Sequence, residues 1–305
     1  MTEKRFGFIA VIGPPNAGKS TLSNTLVGQK VAIVTHKAQT TRARLRAVVM
    51  HEQSQVVLVD TPGIFSGVKK LDKAMVQEAW SGAEEADAVL VVLDASRALP
   101  AETELVLAGV KNTSKPVILV LNKVDAVKRE KLLELTQQLN EAANFAYTFM
   151  VSALKETGLE ELKSYLAQLV PEGPWHYPED MAADVPSLLL AAEVTREKLF
   201  LRLHQELPYA LTVETESWKR QKDGSVRLEQ VIFVRRDSQK AIVLGKRGQS
   251  IREIGSQARL EMEDIFGHKV HLFLFVKVRD NWIDDPERFR MMGIDYAGAV
   301  NAMER

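Results

Sequence analysis

Short runs of consecutive apolar residues, separated by helix-like segments, set the strongest limit on how this chain folds. These runs are rich in valine, isoleucine and phenylalanine and occur at residues 6–13, 56–60, 88–94, 116–122 and 145–153. A strand that is apolar on both sides is buried on both faces, which is typical of a parallel sheet covered by helices. The sequence therefore predicts an α/β domain with a mostly parallel sheet and helices on both faces.

One further apolar run, at residues 45–51, is joined to the run at 56–60 by only four residues. Parallel neighbours need a long crossover connection, whereas antiparallel neighbours can be joined by a short turn. We therefore expect these two runs to form an antiparallel hairpin at one edge of the sheet.

A proline-rich stretch at residues 170–186 interrupts the alternation of strands and helices, as expected of a linker between domains. Beyond it the pattern is helix, strand, strand, helix, helix, strand, which predicts a compact α+β domain. We place the first domain at residues 1–170, the linker at 171–186 and the second domain at 187–305.

The stretch GPPNAGKS follows the first predicted strand and fits the phosphate-loop pattern G-x-x-x-x-G-K-[ST]. Glycines let backbone N–H groups converge on a β-phosphate, while Lys19 reaches the β- and γ-oxygens and the Ser20 hydroxyl ligates Mg²⁺. The predicted nucleotide-binding residues here are Gly13, Pro14, Pro15, Asn16, Ala17, Gly18, Lys19, Ser20 and Thr21.

Two further motifs follow in the order that a nucleotide site requires. The first, Asp60-Thr61-Pro62-Gly63, ends a predicted strand, and there Asp60 would hold Mg²⁺ through water while the Gly63 amide senses the γ-phosphate. The second motif, Asn122-Lys123-Val124-Asp125, lies at the end of another predicted strand. A carboxylate at Asp125 accepts hydrogen bonds from N1–H and the 2-amino group of guanine, and adenine has no such donor pair. The sequence thus predicts GTP or GDP as the ligand.

The remaining contacts to the base are predicted from the same strand ends. We expect Asn122 to bind the other edge of the base and the Lys123 stem to cover its face. Backbone amides of Ser152 and Ala153, after the last strand, would reach the guanine O6.

With these motifs the first domain resembles the translation-factor class of P-loop GTPases. The resemblance implies a switch threonine that closes over Mg²⁺, and either Thr40 or Thr41 fits that role. Lys19, Asn16, Thr40, Thr41 and Gly63 are then the expected catalytic set.

Ile64 stands where a water-positioning glutamine is found in Ras-type enzymes, so we expect slow intrinsic hydrolysis. The resemblance to similar GTPases with a hydrophobic residue there implies that Asn16 helps to hold a K⁺ ion.

A second glycine loop, Gly245-Lys246-Arg247-Gly248, lies between two predicted helices. From Arg235 to Arg259 there are seven basic and two acidic residues. Concentrated positive charge beside a glycine turn is what a clamp on a single-stranded nucleic acid backbone needs. We predict RNA contacts from Arg235, Arg236, Gly245, Lys246, Arg247, Gly248, Gln249, Ser250 and Arg252. We expect AIVLG, Ile251 and Ile254 to form an apolar wall for the bases. The alternative is that the glycines only end one helix and begin the next.

The second domain resembles the type II KH domain, and the whole chain resembles the Era family of bacterial ribosome-assembly GTPases. This resemblance implies GTP hydrolysis with Mg²⁺, binding of small-subunit ribosomal RNA near its 3′ end, and a role in assembling the small ribosomal subunit. It also implies peripheral contact with the inner membrane. We expect a monomer.

Composition adds few constraints. Lysine and arginine together number 40, as do aspartate and glutamate, so whole-chain charge indicates no particular partner. The chain contains no cysteine, which excludes disulfides and thiolate metal sites and favours the cytoplasm. We see neither a signal peptide nor a membrane span. Two other functions stay open: an RNA chaperone whose nucleotide is only structural, and a membrane-associated GTPase.

Overall fold

The computed structural model describes residues 3–37, 40–42, 44–67, 70–204 and 207–280. By their packing these residues fall into two compact units. Among the described residues, unit 1 contains the chain up to Ala32 and Thr41–Asp184, and unit 2 contains Ile33–Thr40 and residues 185–280. The assignment of Ile33–Thr40 to unit 2 is not predicted by the sequence.

Unit 1 is the predicted α/β fold. Its strands are β1 Arg5–Ile12, β2 Leu45–His51, β3 Ser54–Asp60, β4 Ala88–Asp94, β5 Val117–Asn122, β6 Tyr147–Met150 and β7 Ala183–Asp184, in the sheet order β6-β5-β4-β1-β3-β2-β7. Its helices are α1 Lys19–Val27, α2 Lys70–Glu85, α3 Glu102–Val110, α4 Arg129–Ala142 and α5 Leu159–Leu169. A single 3-10 turn, Val124–Ala126, joins β5 to α4.

The central strands are buried on both faces because their side chains alternate between two apolar clusters. Ile9 and Val11 of β1 point into one cluster, and Ala10 and Ile12 point into the other. β1 pairs in parallel with β3 on one side and β4 on the other. In open α/β sheets, ligands bind outside the carboxyl ends of the strands, where the strand order changes direction. The fold therefore brings the carboxyl ends of β1, β3, β4 and β5 together on one side of unit 1.

The predicted hairpin is present, but its position differs from our expectation. β2 pairs antiparallel with β3, and the turn between them contains only Glu52 and Gln53. The edge of the sheet is formed instead by β7, which pairs antiparallel with β2. The prediction of an edge position was wrong because a short strand far along the chain covers the open side of β2.

β7 comes from the stretch that we predict to be a linker, and more of that stretch lies on unit 1. Gln55 donates to the carbonyl of Tyr177 at 2.9 Å and accepts from its amide at 3.0 Å. The His176 ring stacks on Phe6 with 3.9 Å between centroids. Hydrogen bonds of this kind give a proline-rich segment a fixed path without regular structure. The domain boundaries at 170 and 187 stay predictions.

Unit 2 has the predicted order of helices and strands. They are α6 Ser187–Arg202, β8 Leu211–Arg220, β9 Val226–Val234, α7 Asp237–Leu244, α8 Gln249–Phe266 and β10 Val270–Val278, with 3-10 turns at Leu207–Ala210 and Lys246–Gly248. The sheet order is β10-β9-β8, with β9 antiparallel to β8 and parallel to β10. Within the described ranges, no helix combines the length and apolar character needed to cross a membrane.

Candidate nucleotide site and RNA-binding loop

The phosphate loop connects β1 to α1, as predicted. Gly18 precedes α1 with a φ of 94°, in the left-handed region that favours glycine. A Cβ atom at Gly18 would lie 2.3 Å from Nδ2 of Asn122, so no larger residue fits. The loop is thus shaped both by its own backbone and by the end of β5.

Lys19 is buried at the start of α1, and its ammonium is held by the loop itself. Nζ donates to the carbonyl oxygens of Gly13 at 3.1 Å and Pro14 at 3.0 Å. Burial lowers the pKa of Lys19 to about 8, against the opposing attraction of Asp60. An ammonium with so little solvation gains strongly from an anionic oxygen, as a phosphate would supply.

Three oxygen-bearing side chains meet beside the loop. Ser20 Oγ lies 2.7 Å from Oδ2 of Asp60, to which it donates, and 3.0 Å from Oγ1 of Thr41. Burial raises the pKa of Asp60 to about 6, although Ser20 and Lys19 favour its charged form. The second oxygen of Asp60, Oδ1, is buried and has no hydrogen-bond partner in the described structure.

This oxygen cluster fits Mg²⁺. A hard divalent cation prefers carboxylate and hydroxyl oxygens and is bound with one or two carboxylates together with phosphate and water. The buried Oδ1 of Asp60 is the kind of unsatisfied acceptor that a cation or its bound water would satisfy.

The structure separates the two candidate threonines. Thr41 reaches Ser20, whereas the Thr40 hydroxyl donates to the carbonyl of Lys37 at 2.7 Å and lies 2.7 Å from the Thr35 hydroxyl. Thr40 thus uses its side chain within its own segment. Only Thr41 contacts the predicted Mg²⁺ ligands.

The segment after β3 is anchored to the phosphate loop by its backbone. The Ile64 amide donates to the Gly13 carbonyl at 3.0 Å, and a Cβ atom at Gly63 would lie 3.0 Å from Pro15. Thr61 Oγ1 donates to the Val11 carbonyl at 2.7 Å. The Ile64 side chain is buried in the core of unit 1. Its position therefore offers no polar group to a nucleophilic water.

The Asn122 side chain makes hydrogen bonds to three segments of unit 1. Nδ2 donates to the Ala17 carbonyl at 3.0 Å, and Oδ1 accepts from the amides of Lys123 and Ala153 at 2.8 and 3.0 Å. Asn122 thus joins the phosphate loop, β5 and the segment after β6. Its contact with the edge of the base stays a prediction.

The amides after β6 are also occupied. The Ser152 amide donates to the Thr157 carbonyl at 3.1 Å, and the Ala153 amide donates to Asn122. Both amides are thus paired within the protein, and their contact with the guanine O6 stays a prediction. A short bridge between Ser152 and Thr157 makes this segment a tight turn, which a motif of three residues cannot indicate.

Lys123 and Asp125 lie at the end of β5 in the positions that a base site needs. Lys123 has a left-handed backbone with a φ of 65°, and its Nζ donates to the Asn16 carbonyl at 2.9 Å and to Asp94 Oδ2 at 2.7 Å. The Asp125 carboxylate is exposed at the start of the turn after β5. Asp125 is therefore accessible to a ligand.

Asp94 is a site residue that the sequence analysis missed. Burial pushes the pKa of Asp94 up, but hydrogen bonds from Lys123 and Ser96 outweigh burial and lower it. The charged carboxylate fixes the lysine that adjoins the phosphate loop. The sequence did contain a signal for this residue, because Asp94 ends the apolar run AVLVVLD just as Asp60 ends the preceding apolar run.

The second glycine loop forms a tight turn between α7 and α8. Gly245 has a φ of 72°, and a Cβ atom there would lie 2.6 Å from the Cβ of Ser250 and 3.0 Å from its backbone nitrogen. Lys246 and Arg247 are exposed, and Arg247 has a left-handed φ of 53°. The two cations therefore project from a compact turn.

The other predicted RNA contacts surround this turn. Arg236, Gln249 and Arg252 are exposed, Gly248 and Ser250 are half-buried, and Arg235 Nε lies 3.9 Å from Asp280 Oδ1. The apolar wall is smaller than we predict, because Ile254 and Val243 are buried in the core of unit 2. Exposed apolar surface comes from Ile242 and from the half-buried Leu244 and Ile251.

Comparison with known proteins gives a consistent result. Residues 8–123 match the family model "50S ribosome-binding GTPase", and residues 206–283 match the model "KH domain". The chain is similar to the GTPase Era of Sinorhizobium medicae, at 57% identity over 292 residues, covering 96% of this chain and 94% of the relative. It is equally similar to the GTPase Era of Brucella suis, at 57% identity over 295 residues, covering 97% and 95% of the two chains.

Two solved structures match across both units. One is a variant of Aquifex aeolicus Era bound to GDP·AlF4⁻, and the other is Era in complex with MgGDPNP and nucleotides 1506–1542 of 16S ribosomal RNA. Each has a TM-score of 0.90 and 37% sequence identity, and each match covers 95% of this chain and 99% of the solved one.

Proposed function

Because this chain belongs to the GTPase Era family, we propose that it is a GTP-binding and GTP-hydrolysing switch in assembly of the small ribosomal subunit. The KH domain binds small-subunit ribosomal RNA, as a single strand near its 3′ end. GTP, GDP and Mg²⁺ are the ligands of unit 1.

The observation that carries the proposal is the meeting of Ser20, Thr41 and the unsatisfied carboxylate of Asp60 beside the phosphate loop. When bound, Mg²⁺ neutralises charge between the β- and γ-phosphates. Ser20 and Thr41 would hold it directly, and Asp60 through water. We therefore assign the switch role to Thr41, one of the two threonines that the sequence left open.

The other residues of the site would bind and orient GTP. Amides of the loop Gly13–Lys19 surround the β-phosphate, Lys19 Nζ exchanges the loop carbonyls for phosphate oxygens, and the Gly63 amide approaches the γ-phosphate. The Asp125 carboxylate selects guanine. No covalent intermediate is required, because catalysis here consists of positioning and charge neutralisation.

In unit 2 the exposed cations of the turn Gly245–Gly248 would hold the phosphates of single-stranded RNA. The turn brings Lys246 and Arg247 to the N-terminus of α8, where backbone N–H groups favour anions. The half-buried Leu244 and Ile251 leave apolar surface against which an unstacked base can lie.

Phosphate release by the full-length protein tests this function. With Mg²⁺, K⁺ and an RNA that contains the 3′ end of the small-subunit RNA, we expect multiple turnovers of GTP. Without RNA the rate should be slow, roughly 10⁻⁴ to 10⁻² per second, because no polar side chain orients the water. Binding of GTP without any phosphate release would favour the alternative of an RNA chaperone with a structural nucleotide.

We predict that replacing K⁺ by Na⁺ lowers the rate of hydrolysis about tenfold, since a cation at the phosphate loop would take the part of an arginine finger. Asn16 is half-buried in the loop and would supply an oxygen to that cation. Its φ is 63°, so Asn16→Gly removes the side chain without backbone strain. This variant should hydrolyse GTP at the same rate in both salts. Equal rates of the unaltered protein in K⁺ and Na⁺ would contradict the prediction.

We place the protein in the cytoplasm as a monomer, with peripheral contact at the cytoplasmic face of the inner membrane as a further prediction from the family. The third candidate function, a membrane-associated GTPase, requires that the protein sediment with liposomes in the absence of RNA. The concentration of basic residues around Lys246 and Arg247 favours RNA over such a role.

A further inference from the structure

The backbone carbonyls of the phosphate loop are held by side chains of unit 1 at five consecutive residues. Those of Gly13 and Pro14 accept from Lys19, the lysine that a phosphate would attract away. The next three carbonyls accept, in chain order, from a second set of side chains: Pro15 from Arg97 Nη2 at 3.5 Å, Asn16 from Lys123 Nζ at 2.9 Å and Ala17 from Asn122 Nδ2 at 3.0 Å. Asn122 and Lys123 belong to a predicted motif, whereas Arg97 belongs to none.

Holding a carbonyl also fixes the direction of the amide that follows it. A peptide group is planar and trans, so its N–H points away from its C=O. The Pro15 carbonyl shares its peptide group with the Asn16 amide, and the Asn16 carbonyl shares its group with the Ala17 amide. Pro14 and Pro15 carry no N–H, so Asn16 is the first residue after Gly13 whose amide can bind a phosphate. The direction of that amide therefore matters for the whole loop.

The backbone at Asn16 needs support from its surroundings. Its φ of 63° lies in the left-handed region, which is unfavourable for a residue with a side chain. Such a conformation persists where the contacts around it determine it. The peptide groups held by Arg97 and Lys123 lie directly before and after Asn16. The two cations thus fix both sides of the strained residue.

One buried carboxylate organises these cations. Asp94 Oδ2 lies 2.7 Å from Lys123 Nζ and 3.1 Å from Arg97 Nε, and the Asp94 side chain is only 4% exposed. Its other oxygen, Oδ1, accepts from the amide and the hydroxyl of Ser96 at 2.9 and 2.5 Å. The Arg97 side chain is 49% exposed, so its ion pair contributes little to the stability of the fold. The contact with a fixed carboxylate instead gives the guanidinium a defined direction.

We propose that Arg97 is a positioning residue for nucleotide binding: held by Asp94, it fixes the peptide group between Pro15 and Asn16 and so preorganises the Asn16 amide for the β-phosphate. The inference rests on the proposed function, because it takes GTP and GDP as the ligands of the loop. Donors that are already in place bind an anion without the cost of ordering them. Loss of Arg97 should therefore weaken binding of nucleotides that carry a β-phosphate and leave the selection of guanine unchanged.

Arg97→Met removes the donors and keeps an apolar stem, and because Arg97 is half-exposed its loss does not threaten the core. Arg97→Lys keeps the charge but cannot fork between Asp94 and the Pro15 carbonyl. Asp94→Asn is the third variant, which removes the charge that directs Arg97. Arg46→Met is the matched control, since the Arg46 side chain is also 49% exposed and lies 3.5 Å from one carboxylate, that of Asp184.

The first readout is titration calorimetry of the full-length protein with GDP, which does not depend on turnover. In Arg97→Met and Asp94→Asn the affinity should fall roughly tenfold, in Arg97→Lys by less, and in Arg46→Met not at all. Inosine diphosphate, which lacks the 2-amino group of guanine, separates the phosphate from the base. The ratio of the GDP and inosine diphosphate affinities should stay the same in every variant. Thermal unfolding establishes that each variant is folded.

The second readout is the phosphorus NMR spectrum of bound GDP, which a general loss of stability would not change. In Arg97→Met the signal of the β-phosphorus should move, while the signal of the α-phosphorus stays in place. An unchanged GDP affinity in folded Arg97→Met would overturn the inference. A weaker affinity with an unmoved β-phosphorus signal, or with an altered preference for guanine, would overturn it as well. Absence of GDP and GTP binding by the unaltered protein would instead overturn the proposed function.

Discussion

Replacing Asp125 by asparagine is expected to lower the affinity for GTP by roughly 10² to 10⁴-fold and to create an affinity for xanthosine triphosphate. The carboxylate would accept two charge-assisted hydrogen bonds from guanine, each contributing about 1.5 to 3 kcal/mol. In xanthine the 2-amino group is replaced by a carbonyl oxygen, which accepts from the new amide of Asn. Titration calorimetry with both nucleotides measures the change.

The control is Glu130→Gln, which neutralises an exposed carboxylate close to Asp125 in sequence, in the first turn of α4. This variant should bind GTP as the unaltered protein does, because Glu130 lies outside the predicted base-binding motif Asn122–Asp125. A preference for ATP in the unaltered protein would contradict the assignment of Asp125 as the residue that selects guanine. So would an Asp125→Asn variant that binds GTP and xanthosine triphosphate with unchanged affinities.

Changing Gly245 and Gly248 together to aspartate is expected to weaken binding of the 3′-end RNA about 100-fold. A side chain at Gly245 would press on Ser250, and both glycines have positive φ values, of 72° and 74°, that an L side chain rarely adopts. The two new carboxylates would also repel the RNA phosphates. Fluorescence anisotropy with a labelled single strand measures the affinity.

The dependence on salt provides an independent test of this prediction. Each phosphate contact that is lost should reduce the slope of log affinity against log salt by about 0.7 for a single strand. Gly224→Asp is the matched control, because Gly224 also has a positive φ, of 83°, in an open turn between β8 and β9. The control should bind RNA normally. Unaltered RNA affinity in a folded double variant would show that the turn is not the clamp.

Much of unit 1 was predictable because its chemistry is local in sequence. A phosphate loop needs glycine, lysine and serine within a few residues, since one turn of backbone surrounds one phosphate. Strands buried on both faces are apolar throughout, so the mostly parallel character of the sheet was predictable from the chain. The order of the strands was not, and β6, from the run at 145–153, is partly exposed. The position of Asp125 was also predictable, and it lies in the 3-10 turn after β5.

The order of elements in unit 2 and the basic turn Gly245–Gly248 were also predictable, since helix ends and charge clusters are features of short segments. The burial of the residues that surround the turn was not predictable. Ile254 occupies the core on α8, whereas Ile242 on α7 is exposed, although both are isoleucines close to the same glycines. Burial depends on which side of each helix meets the sheet, and composition does not specify that.

The sequence by itself determined the mostly parallel α/β fold, the phosphate loop and the basic turn, because each is encoded by neighbouring residues. It also predicts Asp125 as the carboxylate that selects guanine. Only the tertiary structure distinguished Thr41 from Thr40 and placed β7 at the edge of the sheet. It alone showed that the Asn122 side chain forms hydrogen bonds with the backbone of Ala17 and Ala153. These outcomes follow from contacts between residues far apart in the chain, where competing partners of similar chemistry are separated only by packing geometry.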